Sequence, residues 1–170
     1  LERLYSNEEL SQEQQKELER IIHSDQAKEL QQQRFKLLAE NTSDVISLHD
    51  SNGNIKYISP AIRKLTGYKP FEYKQFTVLE NIYPEDIKSV KKQLARVGSG
   101  RNEVTYDCRI LSRTKKPIWV ETKTKVLRDE NKKVIYWISS TRDIRDRKEA
   151  EAKLKESEDR FRTSIENMID

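Results

Sequence analysis

Asp44-Val45-Ile46-Ser47-Leu48-His49-Asp50-Ser51-Asn52-Gly53-Asn54-Ile55-Lys56-Tyr57-Ile58-Ser59-Pro60 decides the architecture. Two short runs rich in β-branched and aromatic residues flank a polar tetrapeptide. Asn-Gly tolerates positive φ, so the stretch predicts a hairpin of strands 44–49 and 55–59. Pro60 suits the first turn of a helix, where its missing N–H costs nothing, with Ser59 as the expected N-cap. Ile62 and Leu65 lie three apart on that helix, and Gly67 ends it.

Beyond a loop-rich stretch, Pro84-Glu85-Asp86 opens a second helix, with its acids at the positive end of the helix dipole. Ile87, Val90, Leu94 and Val97 then form one apolar stripe, stopped by Gly98-Ser99-Gly100. Val104, Tyr106, Cys108 and Ile110 alternate with Glu103, Thr105, Asp107 and Arg109, the pattern of a strand buried on one face. Strands 118–127 and 134–141 follow. Two strands, then helices, then three strands predict an α+β domain, a five-stranded antiparallel sheet with helices on one face.

The flanks differ in kind. Residues 7–40 read as one helix, with Leu10, Leu18, Ile21, Ile22, Leu30, Leu37 and Leu38 forming an interrupted stripe too weak for a strong coiled coil. Residues 145–160 are almost entirely charged or small. Charged residues make up 36% of the chain and hydrophobic ones 34%, which suits a domain with polar extensions better than a single globule. Lys and Arg number 33 against 29 Asp and Glu, interspersed throughout, so neither nucleic acid nor membrane is an expected partner. The longest wholly apolar run, Val134-Ile135-Tyr136-Trp137-Ile138, is far below the ~20 residues that span a bilayer. With no signal peptide, one Cys and no initial Met, the chain is expected to be a cytoplasmic, excised piece.

Leu48-His49-Asp50-Ser51-Asn52-Gly53, Tyr57-Ile58-Ser59-Pro60, Thr66-Gly67-Tyr68, Tyr83-Pro84-Glu85-Asp86, Trp119-Val120-Glu121 and Asp143-Ile144 occur in this order between Arg34 and Ile144. Together they resemble a PAS domain, the sensor module of signalling proteins. The resemblance implies a non-catalytic module that binds or senses and passes a conformational bias to its terminal helices. Departures are mild: Tyr83 stands where His is common, Lys115-Lys116-Pro117 where Asp-Gly is common, and Arg145 where Thr follows Asp-Ile. Arg160-Phe161-Arg162-Thr163-Ser164-Ile165-Glu166-Asn167 echoes Arg34-Phe35-Lys36-Leu37-Leu38-Ala39-Glu40-Asn41. The expected organisation is therefore a helical linker (1–33), the PAS domain (34–144), an exit helix (145–159) and the start of a second such domain (160–170).

Chemistry-bearing residues are few. His49 reads as a strand-end residue, and haem-binding relatives take their ligand from the long helix, which has no His. Asp107-Cys108-Arg109-Ile110-Leu111 resembles the flavin-reactive Cys motif of LOV photoreceptors, but Cys108 lies after the long helix, so a buried thiol is expected. His23 lacks a phosphoacceptor context. Glu85 and Asp86 are explained by the helix start, and Trp119 and Trp137 by packing. No catalytic residue, metal site, flavin adduct or haem is expected, although an unidentified small ligand is possible.

Any pocket should lie between sheet and helices, lined by Ile46, Leu48, Ile62, Leu65, Ile82, Leu94, Tyr106, Cys108 and Ile138. The signal should leave at Asp143 and Ile144. Leu18, Ile21, Ile22, Leu30, Leu154 and Phe161, with Met168 continuing the last pair's spacing of seven, are the expected dimer contacts. The expected function is a sensory and dimerisation module in a multidomain protein such as a sensor histidine kinase. Its partners would be itself and neighbouring PAS or output domains. The alternatives are a small-molecule receptor of a diguanylate cyclase and a ligand-free structural spacer.

Overall fold

The structure, a computed structural model, describes residues 12–169, with side chains described for residues 24–168. Helix α1 (Gln12–Glu40) precedes β1 (Val45–Asp50), β2 (Ile55–Ile58), α2 (Ala61–Thr66) and α3 (Pro70–Tyr73). A 3-10 turn (Pro84–Asp86) leads into α4 (Ile87–Gly98). Strands β3 (Glu103–Leu111), β4 (Pro117–Arg128) and β5 (Val134–Asp143) and helix α5 (Arg145–Ile169) complete the chain. The chain divides between Leu38 and Ala39 into two units. The first holds most of α1; the second holds the sheet, its helices and α5. No helix among the described residues is long and apolar enough to cross a membrane.

The five strands form one antiparallel sheet in the order β2-β1-β5-β4-β3. The last strand of the chain therefore lies in the middle and joins the hairpin to the β3–β4 pair. Helix α4 covers the β3 side, burying Val90 and Val97 against Val104, Tyr106, Cys108, Ile110, Ile118 and Val120. Helix α2 closes the β2 side, where Ile62 packs with Val45, Ile55 and Ile58. Tyr68, Tyr73 and Phe76 meet edge-to-face between these regions, with ring centroids 5.4–5.9 Å apart.

The hairpin turn forms as its sequence predicts. Gly53 sits at φ +86°, and Asp50 accepts the backbone N–H groups of Asn52 and Asn54, each at 3.0 Å. Gly67 ends α2 in the left-handed conformation, at φ +85°.

Two expectations fail here. Ser59 does not cap α2: its backbone N–H donates to Ile46 O at 2.8 Å, and its Oγ accepts from Ile46 N at 3.0 Å, so the side chain closes the hairpin instead. The facing of β1 is also reversed. Val45, Ser47 and His49 are buried against the helices, while Ile46 and Leu48 pair with Ser140 and Ile138 on the outer face. Both faces of this sheet carry apolar residues, so hydrophobicity alone could not set the facing. Strand pairing sets it.

Residues 81–86 cover the free edge of β3. Tyr83 N donates to Arg109 O (2.7 Å) and Leu111 N to Asn81 O (2.9 Å), so a strand edge open to pairing with other chains is occupied.

Candidate functional site

A band of polar side chains runs across the middle of the inner sheet face, between the two apolar clusters. Ser47 Oγ and His49 Nε2 are hydrogen-bonded at 2.9 Å, Thr124 and Ser139 hydroxyls at 2.9 Å, and Thr122 and Thr141 hydroxyls at 3.1 Å. Register explains the grouping: Val45 pairs with Thr141 and Ser47 with Ser139 on one side of β5, while Thr122 pairs with Thr141 and Thr124 with Ser139 on the other. Mutual pairing makes burial of these hydroxyls tolerable.

Two cavities meet this floor. One, of about 60 Å³, touches Ser47, Ile58, Ile62, Tyr73, Ile82, Tyr106 and Thr122. The other, of about 150 Å³, touches Gly53, Leu94, Thr124 and Trp137, with Ser51 and Asn52 at its rim. His49, Val78 and Ser139 line both.

His49 is 6% exposed. Burial pulls its pKa below the usual value, opposed by the Gly53 backbone and the Asp50 charge, so it stays neutral. A folded-state pKa below the unfolded value means the unfolded chain binds more protons as pH falls. The stability His49 contributes is thus complete above about pH 6.5 and is lost as pH falls from there through its lower folded-state pKa. Urea midpoints should fall from about pH 7.5 to about pH 5.5, and His49→Gln should flatten the slope in this window. An unchanged slope in the variant would remove His49 from the account. Asp50, Asp86, Asp107 and Asp143 are also held below the ordinary carboxylate range by their hydrogen-bond partners. Their share is present above about pH 4 and disappears only below it, a separate window.

Of the pocket residues expected from sequence, Ile62, Ile82 and Tyr106 line the smaller cavity and Leu94 the larger. Leu65 and Cys108 belong to the apolar packing around them; Cys108 is 1% exposed, and burial pushes its thiol up to about 12. Ile46, Leu48 and Ile138 do not belong to the pocket: all three lie on the outer face, where Ile138 is 40% exposed. Sequence reasoning missed the hydroxyl floor, although Thr122/Thr124 and Ser139/Thr141 at spacing two within apolar strands are its signature. Among the described residues no group of three or more His, Cys, Asp or Glu is placed to hold a metal ion.

The other side of the sheet carries the chain's exit. Ile144 is buried, donating its N–H to Trp119 O at 3.1 Å. Asp143 Oδ1 accepts Arg145 N at 3.0 Å, and its carboxylate also holds the Arg145 guanidinium. In the first turn of α5, Arg147 bridges Asp107 and Glu121, each at 2.9 Å. These two acids are direct cross-strand partners on β3 and β4. Like charges placed so repel, and Arg147, with Lys148 at 2.9 Å from Asp107, neutralises them. Lys148 also lies over the Trp119 ring, 5.1 Å from its centroid.

Among the expected dimer residues, Leu30, Leu154 and Phe161 are at least half exposed. The side chains of Leu18, Ile21 and Ile22 lie outside the described residues.

A family model described as the PAS fold matches residues 55–141. The sensor histidine kinase TmoS of Ectopseudomonas mendocina is 28% identical over 138 residues, which cover 79% of this chain and 14% of that protein. The chain thus spans a small part of this curated relative. A sensory box histidine kinase/response regulator from Burkholderia thailandensis superposes with a TM-score of 0.63 at 22% identity, covering 76% of this chain and 98% of that one. The N-terminal domain of a diguanylate cyclase with PAS/PAC sensor from Marinobacter aquaeolei gives 0.54 at 23%, covering 59% and 94%.

Proposed function

The chain belongs to the PAS fold family, and from that premise we propose that it is a sensory and dimerisation module of a longer cytoplasmic signalling protein. It acts by binding and packing rather than catalysis, relaying a signal through its flanking helices to an output domain of the histidine kinase or diguanylate cyclase kind. One observation carries this reading: the same two strands face the cavities and grip the exit helix. Tyr106 and Thr122 point into the smaller cavity, while their neighbours Asp107 and Glu121 hold Arg147 on the opposite face. A shift of β3 against β4 that accommodates a ligand also changes the spacing of the two carboxylates that α5 bridges.

Leu154, Phe161 and Met168, seven apart and exposed on α5, offer a seam to a second copy. The echo of residues 34–41 at 160–167 marks the approach to another PAS domain, and no metal, haem or flavin adduct is assigned.

Arg147→Glu tests the relay by placing a third carboxylate beside two. Amide exchange at Lys148, whose N–H bonds Ile144 O at 2.9 Å, should accelerate by about tenfold or more. The sheet should keep its protection, and the melting midpoint should move by only about 2 °C. Basal output of the longer protein should leave its wild-type level. Unchanged exchange at the start of α5 would show that the carboxylate pair does not hold the helix.

A further inference from the structure

Two buried polar atoms on the larger cavity lack a hydrogen-bond partner among the described residues: His49 Nδ1 and Trp137 Nε1. His49 and Trp137 are direct cross-strand partners on β1 and β5, so the two residues line the cavity from neighbouring positions. The indole N–H can only donate and therefore needs an acceptor. The imidazole is held at its other end, where Nε2 and Ser47 Oγ lie 2.9 Å apart, and the Gly53 backbone lies near the ring without meeting Nδ1 in hydrogen-bond geometry. Buried polar atoms in native proteins are almost always satisfied, so two beside one void are a request for a specific occupant.

The cavity limits that occupant by size and charge. A void of about 150 Å³ is large enough for benzene and holds more than one water. Val78 and Leu94 give it apolar walls, and Thr124 and Ser139 are already hydrogen-bonded to each other. No lining residue carries a charged side chain, and the Asp50 carboxylate lies next in sequence to His49. An ionised ligand would be left unpaired there, at a large cost. Ser51 and Asn52, which also line it, are exposed turn residues, so the cavity borders solvent on that side.

We infer that this cavity takes a compact, uncharged organic molecule of about six or seven heavy atoms bearing one hydroxyl or carbonyl, held by Trp137 Nε1–H and His49 Nδ1. The inference rests on the sensory reading above and names the ligand class that reading leaves open. A hydroxyl answers both atoms at once, accepting from the indole and either donating to Nδ1 or accepting from it, according to which imidazole nitrogen carries the proton.

Phenol, benzene and benzoate separate the requirements, since they share a ring and differ in the polar group. Titrations followed by two-dimensional amide and indole NMR should show saturable shifts with phenol at the Trp137 indole N–H and at Gly53. Benzene should bind about tenfold more weakly and benzoate not at all. Trp137→Phe, which keeps a ring but loses the donor, should weaken phenol about tenfold and leave benzene nearly unchanged; His49→Gln gives a second reading should the first variant fold poorly.

Phenol that leaves the indole resonance unmoved up to its solubility overturns the inference, as does benzoate binding as tightly as phenol. Phenol binding that fails to change amide exchange in α5 upholds the ligand class and overturns the relay.

Discussion

Asp86→Ala should destabilise the domain by about 2–3 kcal/mol, a large part of the stability of an ordinary domain. The carboxylate takes three hydrogen bonds from one residue: Arg109 N at 2.7 Å, Nε at 3.0 Å and a terminal guanidinium nitrogen at 2.7 Å. The guanidinium is in turn held over Tyr83 (4.2 Å) and beside Trp119 (5.2 Å). Removing the acid leaves a backbone donor and a partly covered cation without their acceptor. The range lies below that of a fully buried pair because water reaches both partners, whose side chains are 16% and 23% exposed. The melting midpoint should fall by roughly 4–10 °C. Asp86→Asn should recover part of the loss, because its amide oxygen can still accept from Arg109 N. Glu85 also reaches Arg109 but is 71% exposed, so Glu85→Ala should change little. Equal effects of the two alanine variants would mean that only charge near α4 matters.

These contacts revise the role of the acids at the start of α4. Neither makes a side-chain cap bond to the helix; they tie it to the edge of β3. Through Arg109 they reach Trp119, and Trp119 meets the exit by its carbonyl to Ile144 N and its ring to Lys148. The helix that carries Leu94 into the larger cavity is therefore joined to α5 by a continuous set of contacts around the sheet edge. Contiguity makes coupling possible and does not measure it. A double-mutant comparison of Asp86→Asn with Arg147→Gln would.

Legibility from sequence followed the range of the interaction. The hairpin, the α4 stripe and the alternation of β3 rest on local chemistry, and all appear where the residues predicted them. β1 is different. Val45-Ile46-Ser47-Leu48-His49 presents Ile and Leu on one side and Val, Ser and His on the other, and only pairing with β5 decides which side faces the helices. The buried side is the more polar one, and Ser47 Oγ and His49 Nε2 bond each other there. The exit clamp was invisible for the same reason. Asp107 and Glu121 become neighbours only once β3 and β4 are in register, and Arg147 comes to them across 40 and 26 residues. Asp143 and Ile144 stood out as a landmark of the resemblance, and only the Asp143 contact with Arg145 is local; the Ile144 N–H reaches Trp119 O across the sheet.

Ile62→Ala should cost about 3–4 kcal/mol, and the variant carries a second consequence. Ile62 is 2% exposed, packs with Val45, Ile55 and Ile58, and forms part of the wall of the smaller cavity. Three carbons are lost from a wall that already borders a void of about 60 Å³, so the new space joins an existing one. The helix that bears residue 62 is six residues long and cannot easily close over the gap: Gly67 fixes its end, and Ser59 is locked to Ile46 at its start. Poor collapse places the cost above the transfer term alone, whereas Ile62→Val should cost about 1 kcal/mol. The enlarged space opens beside His49 and Ser139, which line both cavities, so an apolar molecule should gain affinity as the protein loses stability. Benzene at a concentration about tenfold above its dissociation constant would return about 1.4 kcal/mol to the variant. Thermal denaturation with and without benzene reads both effects. A cost near 1 kcal/mol with no benzene-dependent recovery would mean that α2 closes over the gap, and that the space between helix and sheet yields under packing instead of persisting as a void.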